Sequence, residues 1–377
     1  MARIASMETW VCSRDEHPGS AYGNAPFGSV CVLLRLTDED GACGMASALA
    51  TATPTITREF LHNVIGPVVL GREATEREAI WQDLYLLNRN LKFFPLYLTG
   101  PVDTALWDLA ARRAGLPLFR YIGAHRTEMP YYASSQFLPT VADYLAEAHR
   151  YTAMGATAYK AHPAGDWREH IEIAEALRAE FPGLTLMLDP AGSDYSLPQA
   201  IAVARALEQL GFHWLEEPFH DVYIDKYAEL CRTVDLPILA SEAAPGGPQG
   251  IAEFIRRQAA DILRTDVSWK WGVTGALKSM HLAEAFGLNC ELHTTTMGLT
   301  DIANLHVACA SRNTEYFELF APHEQWSFPL LSGFDLDDQG RIRCPEQPGL
   351  GVDVDWDRAD DASLWQARAT AHGSGHM

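Results

Sequence analysis

The sequence predicts an α/β protein in which a barrel of eight β/α units follows a smaller α+β domain. Its 377 residues exceed the roughly 250 to 300 that one hydrophobic core usually holds, so we expect two domains. From about Met129 onward, short apolar runs alternate with longer segments in which apolar residues recur three and four positions apart. The first 125 residues lack this alternation, which indicates a separate domain.

The predicted N-terminal domain, residues 1–125, combines two β-rich runs with three helical patterns. The stretch from Asp38 to Gly41 predicts a hairpin turn, because glycine supplies the positive φ that such a turn needs. The strands and helices are expected at Ile4 to Cys12, Ser29 to Leu36, Arg58 to Val69, Thr75 to Leu87 and Asp103 to Ala114.

The predicted barrel, residues 126–325, contains eight short apolar runs that are typical of parallel strands, separated by amphipathic segments that predict the outer helices. The runs are Pro130 to Ser135, Ala156 to His162, Leu184 to Pro190, Phe212 to Pro218, Pro237 to Glu242, Ala260 to Asp266, Leu288 to Thr294 and Glu315 to Phe320. The clearest helical segments are Trp167 to Phe181, Leu197 to Leu210 and Gly275 to Phe286.

A C-terminal segment, residues 326–372, follows the barrel. Within it, the alternating stretch from Asp335 to Cys344 predicts a hairpin that packs back on the N-terminal domain. Residues 373–377 are small and polar for the most part, and we expect a flexible tail there.

Composition narrows the possible partners and compartments. A formal charge of −20 repels phosphate backbones and anionic lipids, so neither nucleic acid nor a membrane is an expected partner. An anionic small molecule would need local positive charge from a metal or from lysines. The seven cysteines include no Cys-x-x-Cys pair, and no signal peptide or membrane-spanning run is evident, so we expect a reduced, cytoplasmic protein.

One polar residue stands at or near the end of seven successive predicted strands, spaced 24 to 29 residues apart. These residues are Lys160, Asp189, Glu216, Glu242, Asp266, His293 and Glu318. The spacing matches one β/α repeat, and barrel enzymes carry their chemistry at the carboxyl ends of the strands. We therefore expect all seven side chains to converge on one site.

Three of these residues, Asp189, Glu216 and Glu242, lie on consecutive strands. Carboxylates that share one volume repel each other unless a cation lies between them, and hard oxygen ligands suit Mg²⁺. The alternative interpretation is that each carboxylate caps the following helix or pairs with an arginine. The regular spacing favours the metal site.

The neighbouring strands supply candidate acid and base groups. A lysine beside a bound cation should have a lowered pKa, which would make Lys160 a usable base near neutral pH. Asp266 can fix the tautomer of His293 and leave one ring nitrogen available for proton transfer. The alternative for His293 is a core histidine that bonds to a backbone carbonyl.

The ordered set of motifs resembles the mandelate racemase subgroup of the enolase superfamily along nearly the whole chain. The matching segments are Ala105 to Leu109, Gly115 to Leu118, Lys160 to His162, Asp189, Glu216 to Pro218, Glu242, Asp266, Gly272 to Gly275 and His293. The resemblance implies a modified TIM barrel closed by an N-terminal capping domain, and it implies a homo-oligomer.

The resemblance also implies roles for the strand-end residues. Asp189, Glu216 and Glu242 would bind Mg²⁺, while Lys160 and the pair of His293 with Asp266 would act as bases on opposite faces of the substrate. Relatives of the muconate-lactonizing branch would carry a lysine in place of Asp266, so the aspartate favours the racemase-like branch. Glu318 corresponds to a carboxylate that bonds to the substrate carboxylate, and we expect it to be neutral when it does so.

The sequence departs from the family pattern in three places. Ala191 stands where many relatives have asparagine, and His162 stands where others have a second lysine. We assign His162 to substrate binding, with a packing role as the alternative. Lys270 lies one place from the usual lysine and is expected to be solvated, while Trp271 replaces a usual glycine. Specificity is expected from two capping-domain stretches, Asp15 to Phe27 and Ser47 to Thr57.

These features together predict a lyase that dehydrates a 2,3-dihydroxy carboxylate, such as a sugar acid, to a 2-keto-3-deoxy acid. A racemase, epimerase or cycloisomerase that uses the same enediolate is the alternative. A barrel that has lost catalysis is disfavoured, because every position of the constellation is filled. A metal-dependent hydrolase usually recruits several histidine ligands, which this series does not offer.

Overall fold

The computed structural model describes residues 2–13, 30–49, 54–91, 95–191, 195–294 and 298–359. The first predicted specificity stretch, Asp15 to Phe27, therefore lies outside the described residues, as do residues 50–53 of the second. No helix in the described part of the chain is both long enough and apolar enough to cross a membrane.

An antiparallel sheet of three strands forms the N-terminal domain together with helices. The strands are β1 (Ile4–Ser13), β2 (Val30–Asp38) and β3 (Cys43–Leu49). The turn between β2 and β3 has Gly41 at φ 84°, as predicted. Strand β3 was not predicted, because its small residues lack a strong apolar pattern. Those small residues admit a helix, since a Cβ on Gly44 would lie 2.0 Å from the Ala105 carbonyl oxygen.

Helices of this domain pack on one face of the sheet and share its core, except the last helix, whose buried Leu118 and Phe119 belong to the core cluster of the barrel. They are α1 (Pro54–Phe60), a π-helical turn (Leu61–Ile65), α2 (Gly66–Val69), α3 (Arg77–Leu91), a 3₁₀ turn (Leu96–Leu98), α4 (Thr99–Ala114) and α5 (Leu118–Ile122). The predicted helix from Arg58 to Val69 is thus interrupted by the π-helical turn. Helix α4 ends at Gly115, whose φ of 67° is the left-handed conformation that closes many helices.

Eight parallel strands close into a barrel, because the last strand pairs with the first. They are β4 (Glu128–Phe137), β5 (Ala158–His162), β6 (Thr185–Leu188), β7 (Leu215–Glu216), β8 (Ile238–Ala240), β9 (Ile262–Thr265), β10 (Asn289–Leu292) and β11 (Phe317–Phe320). Seven of the strands fall inside a predicted run, and β4 extends beyond its run by two residues at each end. The prediction of a modified TIM barrel with an N-terminal domain is confirmed.

Helices surround the barrel and alternate with its strands. They are α6 (Val141–Ala153), α7 (Trp167–Glu180), α8 (Leu197–Gln209), α9 (Ile224–Thr233), α10 (Pro248–Arg257), α11 (Val273–Ala285), α12 (Gly298–Ala310) and α13 (His323–Trp326). Helix α7 begins with a capping box between Asp166 and Glu169, which satisfies backbone donors at the helix start.

The barrel interior changes from apolar to charged along the strands. An apolar layer contains Tyr132, Ala158, Met187, Trp214, Leu239 and Ile262. Side chains two residues apart on a strand point to the same side, so the next inward positions after Ala158, Trp214 and Ile262 are Lys160, Glu216 and Arg264. This alternation places the charged side chains directly above the apolar layer.

The C-terminal segment contacts both domains, and its hairpin lies on the barrel. Strand β12 (Arg341–Arg343) pairs antiparallel with the first residues of β4, which corrects the expectation that the hairpin packs on the N-terminal domain. The residues that follow make that contact instead. The carbonyl of Gly349 accepts from the Leu118 N–H at 2.8 Å, and Asp108 Oδ1 accepts from the Leu350 N–H at 2.6 Å.

Candidate active site

A cavity of about 160 Å³ opens where the sequence predicts the functional side chains. Six of the eight predicted site residues line it, while Glu216 and Asp266 are fully buried and contact the lining residues Lys160 and His293. Within the described chain, the lining consists of Lys160, His162, Asp189, Ala191, Glu217, Glu242, His293, Glu318 and Phe320. The structure therefore brings the predicted site residues together.

Lys160 is the positive centre of the cavity wall. Its Nζ lies 3.1 Å from Asp189 Oδ2, 2.9 Å from Glu216 Oε2 and 2.8 Å from Glu318 Oε1. Burial alone would lower the pKa of Lys160, but Glu216 and Glu318 outweigh it and raise the pKa well above its usual value. In this arrangement the carboxylates keep Lys160 charged, while the expected lowering of its pKa concerns the site with a bound cation and stays a prediction. Its role as a base stays a prediction.

Arg264 is a second buried cation, which was not among the predicted site residues. Its Nη2 donates to Glu318 Oε2 at 2.5 Å, its Nη1 donates to the Tyr132 hydroxyl at 3.0 Å, and its Nε lies 3.1 Å from Glu216 Oε1. The side chain is fully buried. The available signal was its position two residues before Asp266, on the inward face of the same strand.

The environment of Glu318 favours the ionised carboxyl in this arrangement, while the expected neutral form concerns the carboxyl bound to substrate and stays a prediction. Burial raises the pKa of Glu318, but Arg264 and Lys160 more than compensate and hold the pKa well below its usual range. Ser134 Oγ donates to Oε1 at 2.8 Å and the Thr294 N–H donates to Oε2 at 3.0 Å. Glu318 is therefore an anion in this arrangement, and each of its oxygens already accepts hydrogen bonds.

The three predicted metal ligands each contact a basic side chain. Asp189 Oδ2 lies 2.9 Å from His162 Nε2, Glu216 contacts Lys160, and Glu242 Oε1 lies 3.3 Å from His293 Nε2. No three His, Cys, Asp or Glu side chains of the described residues are arranged as a ready-made metal site. The positive charge that the carboxylates require comes here from lysine, arginine and histidine, and pairing with arginine was the alternative to the metal site.

The donor chemistry of these carboxylates nevertheless fits a hard divalent cation. Asp189 and Glu242 line the cavity with oxygen ligands of the kind that Mg²⁺ prefers. Glu216 Oε1 is buried and has no hydrogen-bond partner among the described residues, although the Arg264 charge is near. A buried carboxylate oxygen without such a partner has the capacity to bind a cation.

The predicted pair of His293 and Asp266 is present in the structure. His293 Nδ1 and Asp266 Oδ2 are 3.1 Å apart, and the second oxygen of Asp266 accepts from the Ser268 and Trp269 N–H groups. Burial lowers the pKa of His293, but Glu242 and Asp266 together raise it to about 9. Asn304 Nδ2 donates to the His293 carbonyl at 2.8 Å. The histidine is thus oriented from two sides with its Nε2 toward Glu242.

His162 lies in the cavity wall, as the substrate-binding assignment requires. Its ring packs edge-on between Phe137 and Phe320, with centroid distances of 6.3 and 5.9 Å. Its Nδ1 is buried and has no hydrogen-bond partner within the described residues. Packing and cavity lining therefore coexist at this position, and contact with a substrate stays a prediction.

Lys270 differs from its expected state, since it is fully buried rather than solvated. Its Nζ donates to the carbonyls of Ser241 and Glu242 at 2.8 and 2.6 Å. The Gly272 to Gly275 motif explains how its loop fits. Gly272 has φ 100° and a Cβ there would lie 2.3 Å from Asp103 Oδ2, while a Cβ on Gly275 would collide with the Lys270 carbonyl.

Two family models match the chain. Residues 24–123 match the N-terminal domain of mandelate racemase / muconate lactonizing enzymes, and residues 143–358 match the enolase C-terminal domain-like family. The second match alone covers more than half of the chain. This chain belongs to the mandelate racemase / muconate lactonizing enzyme family of the enolase superfamily. The resemblance seen in its motifs is thereby confirmed.

Two enzymes are similar to this chain over most of its length. Arabinonate dehydratase of Saccharolobus solfataricus is 26% identical over 332 residues, which cover 86% of this chain and 88% of the relative. L-Ala-D/L-Glu epimerase of Bacillus subtilis is 27% identical over 336 residues, which cover 85% of this chain and 88% of the relative. These relatives are a lyase and an isomerase, the two enzyme classes that the sequence predicts.

A solved structure gives the same result for the fold. D-glucarate dehydratase from Agrobacterium tumefaciens, complexed with magnesium, superposes with a TM-score of 0.86 at 32% identity. The match covers 94% of this chain and 97% of that chain. The similarity of the two structures therefore includes both the capping domain and the barrel of this chain.

Trp271, which replaces a usual glycine of the family, has φ 67° in this chain. A left-handed conformation at a non-glycine residue costs roughly 1–2 kcal/mol, which explains why glycine is common there. The ring packs against Trp81 and Tyr85 of the capping domain at centroid distances of 5.6 and 5.5 Å, and the Trp81 indole N–H donates to the Trp271 carbonyl at 2.8 Å. These contacts offset the backbone cost and join the two domains beside the cavity.

Proposed function

We propose that this chain is a Mg²⁺-dependent lyase that removes the proton α to a carboxylate and dehydrates a sugar acid, a 2,3-dihydroxy carboxylate, to a 2-keto-3-deoxy acid. The observation that carries the proposal is the shared cavity. His293, oriented by Asp266, lines it together with Lys160 and His162 from another strand. The names of two relatives, arabinonate dehydratase and D-glucarate dehydratase, support the dehydration of sugar acids.

Asp189, Glu216 and Glu242 are the residues that would hold Mg²⁺. Their oxygen donors and the buried Glu216 Oε1 without a hydrogen-bond partner in the described part support this assignment. The magnesium in the structure of D-glucarate dehydratase supports the choice of metal. When bound, the cation would stabilise the negative charge that develops on the substrate carboxylate as the α-proton leaves.

The residues of the chain have distinct tasks in this proposal. Asp266 holds Nδ1 of His293, so Nε2 is the ring atom that exchanges protons with the substrate. Lys160 or His293 takes the α-proton, according to the configuration of the substrate, and the C–H electrons form the enediolate. His293 then protonates the 3-hydroxyl, which leaves as water, and the enol product tautomerises to the 2-keto acid.

Charge supports an anionic substrate at this site. The whole chain has a formal charge of −20 and would repel a free carboxylate. Lys160 lines the cavity, and Arg264 lies behind Glu318, so one titratable cation and one permanent cation stand near the carboxylate cluster.

The proposal is tested by incubating the protein with Mg²⁺ and a library of sugar acids in D₂O. A reagent specific for ketones then detects 2-keto acids, while NMR detects deuterium at C2. We expect a 2-keto-3-deoxy acid from one or a few sugar acids, and we expect a chelator to abolish its formation. Accumulation of a 2-epimer or a lactone without any 2-keto acid would instead support the isomerase alternative, for which the epimerase relative is the supporting observation.

A further inference from the structure

The backbone that carries Glu242 has an unusual conformation. Ser241, which directly precedes Glu242 after strand β8, has φ 90°. Positive φ is uncommon for a residue other than glycine, and such a conformation persists only where surrounding groups hold it. The position of the Glu242 side chain in the cavity therefore depends on what holds this turn.

Three side chains from neighbouring loops bind the peptide groups of this turn. Lys270 Nζ donates to the carbonyls of Ser241 and Glu242 at 2.8 and 2.6 Å. Glu217 Oε1 accepts from the Glu242 N–H at 3.1 Å, and Asp221 Oδ1 accepts from the Ser241 N–H at 3.2 Å. Every backbone N–H and carbonyl of the two residues at the turn is thus hydrogen-bonded to an ionisable side chain.

The burial of Lys270 indicates that this side chain serves to hold the turn. The side chain is fully buried, and it does not line the cavity. Moving an ammonium group out of water is costly unless hydrogen bonds and opposite charges surround it. Lys270 has the hydrogen bonds to the two carbonyls, and the carboxylates of Asp266, Asp221, Glu242 and Glu217 raise its pKa, although burial outweighs them and leaves the pKa below its usual value.

Glu217 has a more ambiguous position, because it lines the cavity as well as bonding to the turn. It follows Glu216 directly and has φ 41°, so its side chain leaves the strand in a different direction from that of Glu216. A cavity carboxylate next to Glu242 would compete for the role of metal ligand. Its hydrogen bond to the Glu242 N–H points instead to a part in holding the turn.

We propose that Lys270, Glu217 and Asp221 form a clamp on the turn at Ser241 and Glu242, and that this clamp positions the Glu242 carboxylate for the metal. The three residues are positioning residues, and Glu217 is not itself a metal ligand. The inference rests on the proposed function in one respect, namely that Glu242 binds the divalent cation.

The test is a Mn²⁺ titration of the full chain after removal of metal with EDTA, followed by electron paramagnetic resonance and by calorimetry. Lys270→Met removes both donors to the turn, and Glu217→Leu removes one acceptor. We expect each variant to bind Mn²⁺ roughly 10- to 100-fold more weakly than the wild type, as is typical when groups that orient a ligand are lost. Lys278→Met is the matched control, because that lysine forms an ion pair with Glu78 away from the cavity.

Glu217→Gln separates positioning from ligation. Its amide oxygen still accepts from the Glu242 N–H, so we expect Mn²⁺ affinity close to that of the wild type. Weakening of Mn²⁺ binding in Glu217→Gln as strong as in Glu217→Leu would show that Glu217 is a ligand and would overturn the clamp. The comparison also remains decisive if Lys270→Met does not fold, which thermal unfolding in EDTA would reveal.

Two further outcomes separate this inference from the proposed function. Normal Mn²⁺ affinity in a folded Lys270→Met variant and in Glu217→Leu would refute the clamp and leave the metal site intact. A wild-type protein that binds no Mn²⁺ would refute the proposed metal site, and the clamp with it.

Discussion

Arg264 reaches Glu318 inside the barrel, where 2.5 Å separate Nη2 and Oε2 and neither side chain is exposed to solvent by more than 1%. The same guanidinium lies 3.1 Å from Glu216 Oε1. Carboxylates that lie this close together need a positive charge nearby, and Arg264 supplies it. Its position on strand β9 directs the side chain into the barrel. The barrel interior is therefore a network of buried ions rather than a set of isolated ligands.

Removal of this counter-charge should destabilise the fold. We expect Arg264→Met to lower the free energy of unfolding by about 3–5 kcal/mol, because it leaves buried carboxylates without their partner. Added Mg²⁺ should raise the midpoint of thermal unfolding more in this variant than in the wild type, since the cation replaces part of the lost charge. Arg257→Met, which breaks ion pairs at the surface, should cost less than about 1 kcal/mol. An Arg264→Met protein as stable as the wild type would show that the network adds no net stability.

Each of the two proposed bases should remove the α-proton from one face of the substrate only. We expect Lys160→Met and His293→Asn each to stop dehydration of a productive sugar acid, because abstraction of an α-proton needs a positioned base. NMR detection of deuterium exchange at C2 then reports which base remains active on each epimer. Circular dichroism serves as the folding control, since Lys160 also takes part in three buried ion pairs. Undiminished exchange in both variants would exclude both residues as the base.

Asp103 should make the stability of the domain interface depend on pH. Its two oxygens accept from the Thr274 N–H and hydroxyl at 2.8 and 2.7 Å, and burial raises its pKa from 3.8 to about 7 despite these bonds. Between these two values the folded protein holds a proton that the unfolded chain has released. Its stability therefore falls as the pH rises through this range and levels off above it.

The matched variant for this effect is Asp103→Asn, which has a similar shape and does not titrate. We expect the unfolding free energy of the wild type relative to Asp103→Asn to decrease as the pH rises from about 4 to 7, by a few kcal/mol at most. Thermal unfolding at several pH values in metal-free buffer measures the difference. A difference that stays constant over this range would mean that Asp103 is already ionised in the folded protein.

Trp271 should stabilise the contact between the domains in spite of its backbone conformation. Trp271→Gly relieves roughly 1–2 kcal/mol of left-handed strain, but loss of a large buried aromatic side chain typically costs 3–5 kcal/mol. We therefore expect a net loss of about 2 kcal/mol in unfolding free energy. Trp271→Phe should lose less, because it keeps a ring against Tyr85 and Trp81. A Trp271→Gly protein more stable than the wild type would contradict this account.

The barrel and the residues of its site can be predicted from the sequence, because both depend on the regular spacing of strands and helices along the chain. A strand and its helix repeat about every 26 residues here, and a parallel barrel brings the ends of all its strands to one face. Residues separated by one repeat, such as Asp189 and Glu216, must therefore be neighbours. The contact between Asp266 and His293 follows from the same geometry.

The ion pairs and the burial of individual side chains were decided only by the tertiary structure. Arg264 and Lys160 approach Glu318 from other strands and hold it ionised in this arrangement, and the sequence pattern did not show this pairing. Lys270 was expected to be solvated, but its loop folds over the turn at Ser241 and buries it. The physical reason is that electrostatic energies depend on distances and solvent exposure within about 4 Å, and the chain order does not specify these for residues far apart in sequence.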